Sequence, residues 1–164
     1  MNPSYHELIN RIRGEAPDLE RVAQRALRAW VQGQLTTNEK DIYIDSVALN
    51  LQSFYAGIER LFELIARQID STLPNGETWH RDLLKQMTKD LQGSRPAVIG
   101  QETFFALDNF RRFRHLLHNV YTMNLVPDKM TGLIFALPGL WAKLRAELLA
   151  FADFLEAMDQ ATQD

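Results

Sequence analysis

The sequence contains no cysteine, which excludes a disulfide framework and any metal site built on thiolates. Glycine and proline are scarce, with 8 and 6 residues. No apolar run approaches the roughly 20 residues that a membrane-spanning helix needs. The N-terminus also lacks the apolar segment of a signal peptide. These absences favour a cytoplasmic protein with no membrane association.

The charge balance excludes a chain that attracts polyanions over its whole surface. The net charge is −3 at pH 7, so binding to nucleic acid requires a local basic patch. Arginine outnumbers lysine 13 to 5, which favours bidentate contacts with carboxylate or phosphate. The 164 residues are 46% hydrophobic and 24% charged, which is typical of a globular protein. We expect one domain that spans residues 1–164.

Apolar residues recur every three or four positions, which predicts an all-α, up-and-down bundle of about five helices. The predicted helices cover residues 4–31, 38 to the turn at 73–76, 77–91, 101–121 and 128–159. Pro17 predicts a kink or a restart in the first helix, because proline costs about 3 kcal/mol inside a helix. Pro138 and Gly139 predict an interruption in the last. The second helix has the widest apolar face, so we expect it to be central.

The stretch FRRFRHLLHNVY, residues 110–121, combines three arginines and two histidines with a closing tyrosine. At 100° per residue, one side of this predicted helix is an apolar stripe that faces the core. The stripe contains Ala106, Phe110, Phe113, Leu117 and Val120.

The polar residues of the same helix separate into two groups by rotation. Arg111, Arg114 and His118 share one edge of the stripe, with Tyr121 on the same side. The others point elsewhere if the helix stays regular, namely Arg112, His115 and Asn119. We treat these three as supporting or phosphate-binding candidates, together with Arg111.

An arginine and a histidine on one helix edge can act on a phosphodiester. Histidine transfers protons near neutral pH, and arginine stabilises the charge that develops on phosphate oxygens. With RNA the nucleophile is the substrate's own 2′-hydroxyl, so neither a metal nor another cofactor is required. The two histidines outside this stretch, His6 and His80, are far apart in the sequence and do not have a spacing typical of metal ligands. The alternative is that these side chains form the solvated or ion-paired flank of a helix.

Two further features bear on such a site. Glu59 and Glu63 lie on the central helix, where they either orient the arginine cluster or face solvent. Trp79 and His80 follow a turn, where Trp79 either closes the core or stacks on a base or ligand.

Four segments together resemble the HEPN domain, and within it the HepT-like proteins, toxin partners of minimal nucleotidyltransferases (MNT). They are YIDSVALNLQSFYAGIERLFELIARQID, LPNGETWHRDLLKQM, FRRFRHLLHNVYTMNLVPDKM and AELLAFADFLE. The resemblance implies a homodimer in which an R-x(4–6)-H motif from each protomer builds a composite, metal-independent endoribonuclease site. In HepT proteins the motif continues as H-x-Y, and the antitoxin AMPylates this tyrosine to silence the toxin.

The sequence departs from this motif at the histidine. Without gaps, Arg114 matches the motif arginine, His115 the polar residue after it, and Tyr121 the modified tyrosine. The histidine position then falls on Asn119, and His118 stands one place too early. Arg112 and His118 also fit R-x5-H, but about 120° of helix rotation separates them.

The resemblance therefore implies a ribonuclease toxin with RNA as substrate and an MNT-type nucleotidyltransferase as antitoxin. Arg114 is then the catalytic arginine, His118 the catalytic histidine and Tyr121 the site of AMPylation. An alternative is a catalytically silent binding module that dimerises and holds the nucleotidyltransferase or a nucleotide through the same arginines. A purely structural helical adaptor is the third possibility.

Overall fold

A computed structural model describes residues 3–119 and 127–164 as an all-α bundle. Its helices are α1 Pro3–Leu35, α2 Lys40–Ile65, α3 Trp79–Met87, α4 Gln101–Asn119 and α5 Asp128–Ala161. A π-helical turn, Ala66–Asp70, extends α2. Across the two described ranges we find no strand, and one isolated bridge joins Leu91 to Arg95. The all-α prediction is confirmed, with α3 shorter than expected.

The predicted restart at Pro17 and the predicted interruption at Pro138 and Gly139 are wrong. Helix α1 runs without interruption through Pro17, and α5 runs through Pro138 and Gly139. On either side of Pro138 and Gly139, Leu137 and Leu140 are buried. Each buried leucine contributes about 1.5–3 kcal/mol, so two of them offset the roughly 3 kcal/mol that an internal proline costs.

Helix α2 is central, as its broad apolar face predicts. It packs against α1, α3 and α4. The Phe54 ring contacts Phe110 of α4 and Trp141 of α5, each at a centroid distance of 5.8 Å. Gly57 permits the close approach of α1, because a Cβ at this position would lie 2.8 Å from the Leu19 side chain. A fixed central helix gives the residues on its polar edge a rigid base.

A buried ion pair holds the segment after α2 against the loop that follows α3. Arg95 Nε lies 2.6 Å from Asp70 Oδ1, and Arg95 Nη2 lies 2.7 Å from Asp70 Oδ2. The same guanidinium donates to the backbone carbonyls of Gln86, Lys89 and Pro96. This arrangement fixes α3 beside α2, and so it determines which residues of α3 face the central helix.

None of the helices within residues 3–119 and 127–164 is both long enough and apolar enough to cross a bilayer.

Candidate functional site

A cleft of about 310 Å³ opens between α2, α3 and α4. Three arginines and two histidines line it, against a single carboxylate. The lining residues are Tyr55, Glu77, Thr78, His80, Arg81, Arg111, Arg114 and His115. The guanidinium groups on its walls make the cleft suitable for an anion, although the chain as a whole is negative.

Glu59 of α2 lies beneath the cleft and connects its two other walls. Its Oε1 accepts a hydrogen bond from Arg114 Nη1 at 2.7 Å, and its Oε2 lies 2.8 Å from His80 Nδ1. The Glu59 side chain is 6% exposed, whereas those of Arg114 and His80 are 25% and 37% exposed. A buried carboxylate is tolerated when charged partners satisfy both oxygens. Glu59 therefore holds an arginine and a histidine at the surface of one cleft.

Of the two interpretations of the acidic residues on α2, the orienting role is confirmed for Glu59, which pairs with Arg114 of the cluster. Glu63 is half-buried and forms no ion pair with the described residues. The two residues lie one turn apart on the same side of α2, and the turn that stands level with Arg114 and His80 is that of Glu59.

Tyr55 lies one turn before Glu59 and contributes the floor of the cleft. Its side chain is buried, and its hydroxyl has no hydrogen-bond partner within residues 3–119 and 127–164. Burial raises the pKa of Tyr55 above its ordinary value, and Glu59 raises it further, while Arg111 and Arg114 lower it. A buried hydroxyl without a partner costs free energy, and a ligand oxygen in the cleft can supply that partner.

Asp108 separates two of the arginines of α4. It is 4% exposed, accepts a hydrogen bond from Arg111 Nε at 2.7 Å and forms an ion pair with Arg112, whose Nη2 lies 2.9 Å from Asp108 Oδ2. Arg111 lines the cleft beside Arg114, whereas Arg112 lines a different cavity, of about 580 Å³, between α4 and α5. Arg111 and Arg114 are therefore brought together, and Arg112 is not.

The predicted apolar stripe of α4 is observed where the structure describes it. Phe110 and Phe113 are buried, and Ala106 and Leu117 pack against the core. The expectation that His115 points away from the cluster is wrong, since His115 lines the same cleft as Arg111. The two are four positions apart, which is only about 40° of helix rotation.

Four positions of the predicted site lie outside what is described. His118 and Asn119 belong to the last turn of α4, but their side chains are not among the described ones. Val120 and Tyr121 lie between the two described ranges. Their assigned roles stay predictions.

Sequence reasoning missed two residues of the arrangement and left a third undecided. In the sequence pattern Tyr55 is one member of the broad apolar face of the second helix, although it stands four positions before Glu59, which is the signal that both face one side of α2. Asp108 was not identified, although it precedes Arg111 and Arg112 by three and four positions. For the pair Trp79 and His80, the sequence left open whether Trp79 closes the core or stacks on a ligand. Trp79 packs against the core, and His80 is the residue of the pair that faces the cleft.

Within the part of the chain that the structure describes, no three residues among histidine, aspartate and glutamate are grouped to hold a metal ion. What the cleft offers is guanidinium groups for anion contacts and imidazoles for proton transfer.

Comparison with protein families matches residues 46–155, more than half of the chain, to the HepT-like proteins. The chain belongs to the HepT-like family. The fold of this HEPN family is generally that of a ribonuclease toxin. No curated protein and no solved structure gives a significant match.

The residues matched to the HepT-like family include all those that line the cleft. The matched region begins within α2 and ends within α5. The whole of α1 lies before it.

Proposed function

We propose that this HepT-like protein is the toxin component of a HEPN–MNT toxin–antitoxin pair. It acts as a metal-independent endoribonuclease at a composite site of a homodimer, and AMPylation of Tyr121 silences it. The observation that carries the proposal is the arginine-lined cleft, in which Arg114 is held by the buried carboxylate of Glu59. A fixed guanidinium in a concave site is what a phosphodiester requires.

In this mechanism the 2′-hydroxyl of RNA attacks the adjacent phosphorus and expels the 5′-oxygen. The products are a 2′,3′-cyclic phosphate and a free 5′-hydroxyl. Arg114 stabilises the negative charge that develops on the non-bridging oxygens, with Arg111 beside it in the cleft. We assign the proton transfer to His118, which stands one position before Asn119 at the place of the motif histidine. Because the nucleophile belongs to the substrate, the reaction runs without a metal ion.

The homodimer part of the proposal is supported by an apolar surface on α4 and α5. Leu116 is 40% exposed and lines the cavity between these helices; Phe105 and Phe135, which adjoin two other lining residues, are 65% and 78% exposed. Arg112 lines the same cavity. Association through this surface brings Arg112 of both protomers to the interface, where they add phosphate contacts on the neighbouring side of α4.

The regulatory part rests on Tyr121, which matches the tyrosine of the H-x-Y motif. We expect a nucleotidyltransferase partner, supplied with ATP, to add one AMP group to the chain and to abolish RNA cleavage. Intact-mass spectrometry of the wild type and of Tyr121→Phe checks the site. Addition of AMP to Tyr121→Phe contradicts the assignment.

The domain and compartment assignments belong to the same proposal. Helix α1 packs along α2 and α5, which supports one domain over residues 1–164. A toxin that cuts RNA acts where RNA is, in the cytoplasm.

The decisive experiment is RNA cleavage in the presence of a chelator. We expect the wild type to produce ends with 2′,3′-cyclic phosphate, and Arg114→Ala to lose activity by 100-fold or more. Arg114→Lys keeps the charge near Glu59 and separates lost chemistry from lost folding. Arg145→Ala is the matched control, because Arg145 is exposed on α5 and lines a separate cavity next to α1. Equal cleavage by wild type and Arg114→Ala removes Arg114 from the mechanism.

A silent binding module is the second candidate function. One observation favours it: the position of the motif histidine holds Asn119, which cannot exchange a proton at neutral pH. In that case the cleft binds the phosphates of a nucleotide, or it binds the nucleotidyltransferase partner itself. Absence of cleavage by the wild type, together with retention of a labelled nucleotide that Arg114→Ala does not retain, is the result that this function predicts.

A further inference from the structure

His80 occupies the wall of the cleft opposite Arg114 and is held from two directions. Its Nδ1 lies 2.8 Å from Glu59 Oε2. The Trp79 ring lies against its face, with 3.6 Å between ring centroids and 30° between planes. Trp79 in turn packs against the core. The imidazole therefore has a fixed orientation, although it is 37% exposed to the cleft.

The contact with Glu59 determines which nitrogen of His80 is open to a ligand. An ionised carboxylate accepts hydrogen bonds and does not donate them, and Glu59 also accepts one from Arg114 Nη1. Nδ1 therefore carries the proton, and the lone pair of the neutral ring is on Nε2. Within residues 3–119 and 127–164, Nε2 makes no hydrogen bond. This is the arrangement of a general base oriented by a carboxylate.

We propose that His80 is the general base of the cleft, a role that rests on the proposed ribonuclease function. Nε2 of His80 takes the proton of the 2′-hydroxyl as the 2′-oxygen forms its bond to phosphorus. The bond from phosphorus to the 5′-oxygen breaks, and the 5′-oxygen takes a proton from water. The imidazolium then returns its proton to solvent, so that no proton is gained or lost. Glu59 is a positioning residue for both His80 and Arg114.

This assignment places the proton acceptor and the arginine in one protomer. Glu59 binds both through its two carboxylate oxygens, so their separation does not depend on how two chains associate. The second protomer of the composite site then contributes to the binding of RNA and not to proton transfer. The departure at Asn119 also has a physical consequence, since an imidazole from α3 can replace the one that the motif lacks.

The test measures single-turnover cleavage of a short RNA by four purified proteins, with a chelator present. They are the wild type, His80→Gln, His115→Gln and His6→Gln. His6 is exposed on α1, where its Nε2 lies 3.3 Å from Asn10 Nδ2, so His6→Gln is the matched control. We expect His80→Gln to lower the rate at saturating protein by 100-fold or more, in the range of general acid–base catalysis. The half-saturating protein concentration should change less than threefold.

Two further arms distinguish a chemical role from a structural one. His80→Gly should regain at least tenfold in rate when imidazole is added, because the free base can occupy the vacated space. A substrate whose 5′-oxygen is replaced by sulfur has a leaving group that needs no proton. His80→Gln should remain slow on it, since the 2′-hydroxyl still requires a base. Restoration of the wild-type rate on this substrate overturns the assignment as base.

The outcomes separate this inference from the proposed function. Cleavage that depends on Arg114 but changes less than threefold in His80→Gln overturns the role of His80 and leaves the ribonuclease intact. Loss of activity in His115→Gln alone also overturns it and assigns the base to α4. Absence of cleavage by the wild type overturns both proposals together.

Discussion

Nη1 of Arg114 lies 2.7 Å from Oε1 of Glu59, and this ion pair joins α4 to α2 across 55 positions of sequence. It serves stability as well as the site, because the carboxylate is almost fully buried. The cost of burying Glu59 is offset only while its partners remain. The pair therefore affects both the free energy of unfolding and the position of Arg114 in the cleft.

Glu59→Gln should lower the free energy of unfolding by about 1–3 kcal/mol. The amide keeps the shape, but it loses the charge and turns one acceptor into a donor that faces Arg114 or His80. Urea denaturation of the free protein measures this change. Glu63→Gln is the control on the same helix, and it should change stability by less than about 0.5 kcal/mol. Equal effects of the two substitutions contradict the role assigned to the buried pair.

Tyr55 predicts how stability depends on alkaline pH. Burial raises the pKa of its hydroxyl above the ordinary value of 10.0, so the folded state favours the neutral phenol. Above pH 10 the unfolded chain ionises this group and the folded chain does not, and the wild type loses stability as pH rises. Tyr55→Phe lacks this contribution.

The measurement for Tyr55 is the midpoint of urea unfolding for both proteins from pH 8 to pH 11. The difference between wild type and Tyr55→Phe should be constant up to about pH 9 and should shift in favour of Tyr55→Phe above pH 10. All other tyrosines are shared by both proteins and cancel. Parallel curves over the whole range contradict the raised pKa.

The sequence was sufficient to predict the helices, and the buried face of each, where the apolar residues recur with one helical period. Phe110 and Phe113 are buried as the rotation of α4 predicts, because their neighbours on the stripe come from the same helix. Pro17 shows the limit of local rules, since α1 continues through it. Propensity is a weak term beside packing along two neighbouring helices.

The cleft depends on contacts between residues that are distant in sequence, and the spacing of apolar residues along one helix does not predict such contacts. His80 and Glu59 are 21 positions apart, and they meet because the loop after α2 returns α3 to that helix. Asp70 and Arg95, which fix this return, are 25 positions apart. Each looks like an ordinary charged residue in the sequence. Only the direction of α3 decides that His80, and not Arg81, reaches the buried carboxylate.

Asp70→Asn should be among the most destabilising single substitutions in the chain. The side chains of Arg95 and Asp70 are 0% and 2% exposed, so loss of the carboxylate charge leaves a buried guanidinium without compensation. We expect a loss of about 3–5 kcal/mol. Asp18→Asn is the control, because its pair with Arg21 is 65–69% exposed and should be worth less than about 1 kcal/mol. Thermal or urea unfolding measures both, and similar losses contradict the structural role of Asp70.

Phe135→Asp should convert a dimer into a monomer. Phe135 is 78% exposed on α5, so a charge at this position does not disturb the core, but it opposes burial of the surface against a second protomer. Sedimentation velocity at a fixed protein concentration gives the oligomeric state. Leu35→Asp changes a leucine that is 76% exposed at the end of α1, and it should leave the dimer intact. Dissociation by Leu35→Asp alone assigns the interface to the other end of the molecule.

A mixed dimer tests whether Arg114 and His80 act within one protomer. When one chain carries Arg114→Ala and the other His80→Gln, each cleft lacks one of the two groups that Glu59 holds together. We expect such a dimer, purified through two different tags, to cleave RNA no faster than either parent. The reciprocal dimer pairs a wild-type chain with one that carries both substitutions. It keeps one complete cleft and should retain about half of the wild-type activity, because each cleft acts with its own arginine and base. The reverse pattern, with activity in the first dimer and none in the second, contradicts the single-protomer arrangement and places the catalytic arginine and the base on opposite sides of the interface.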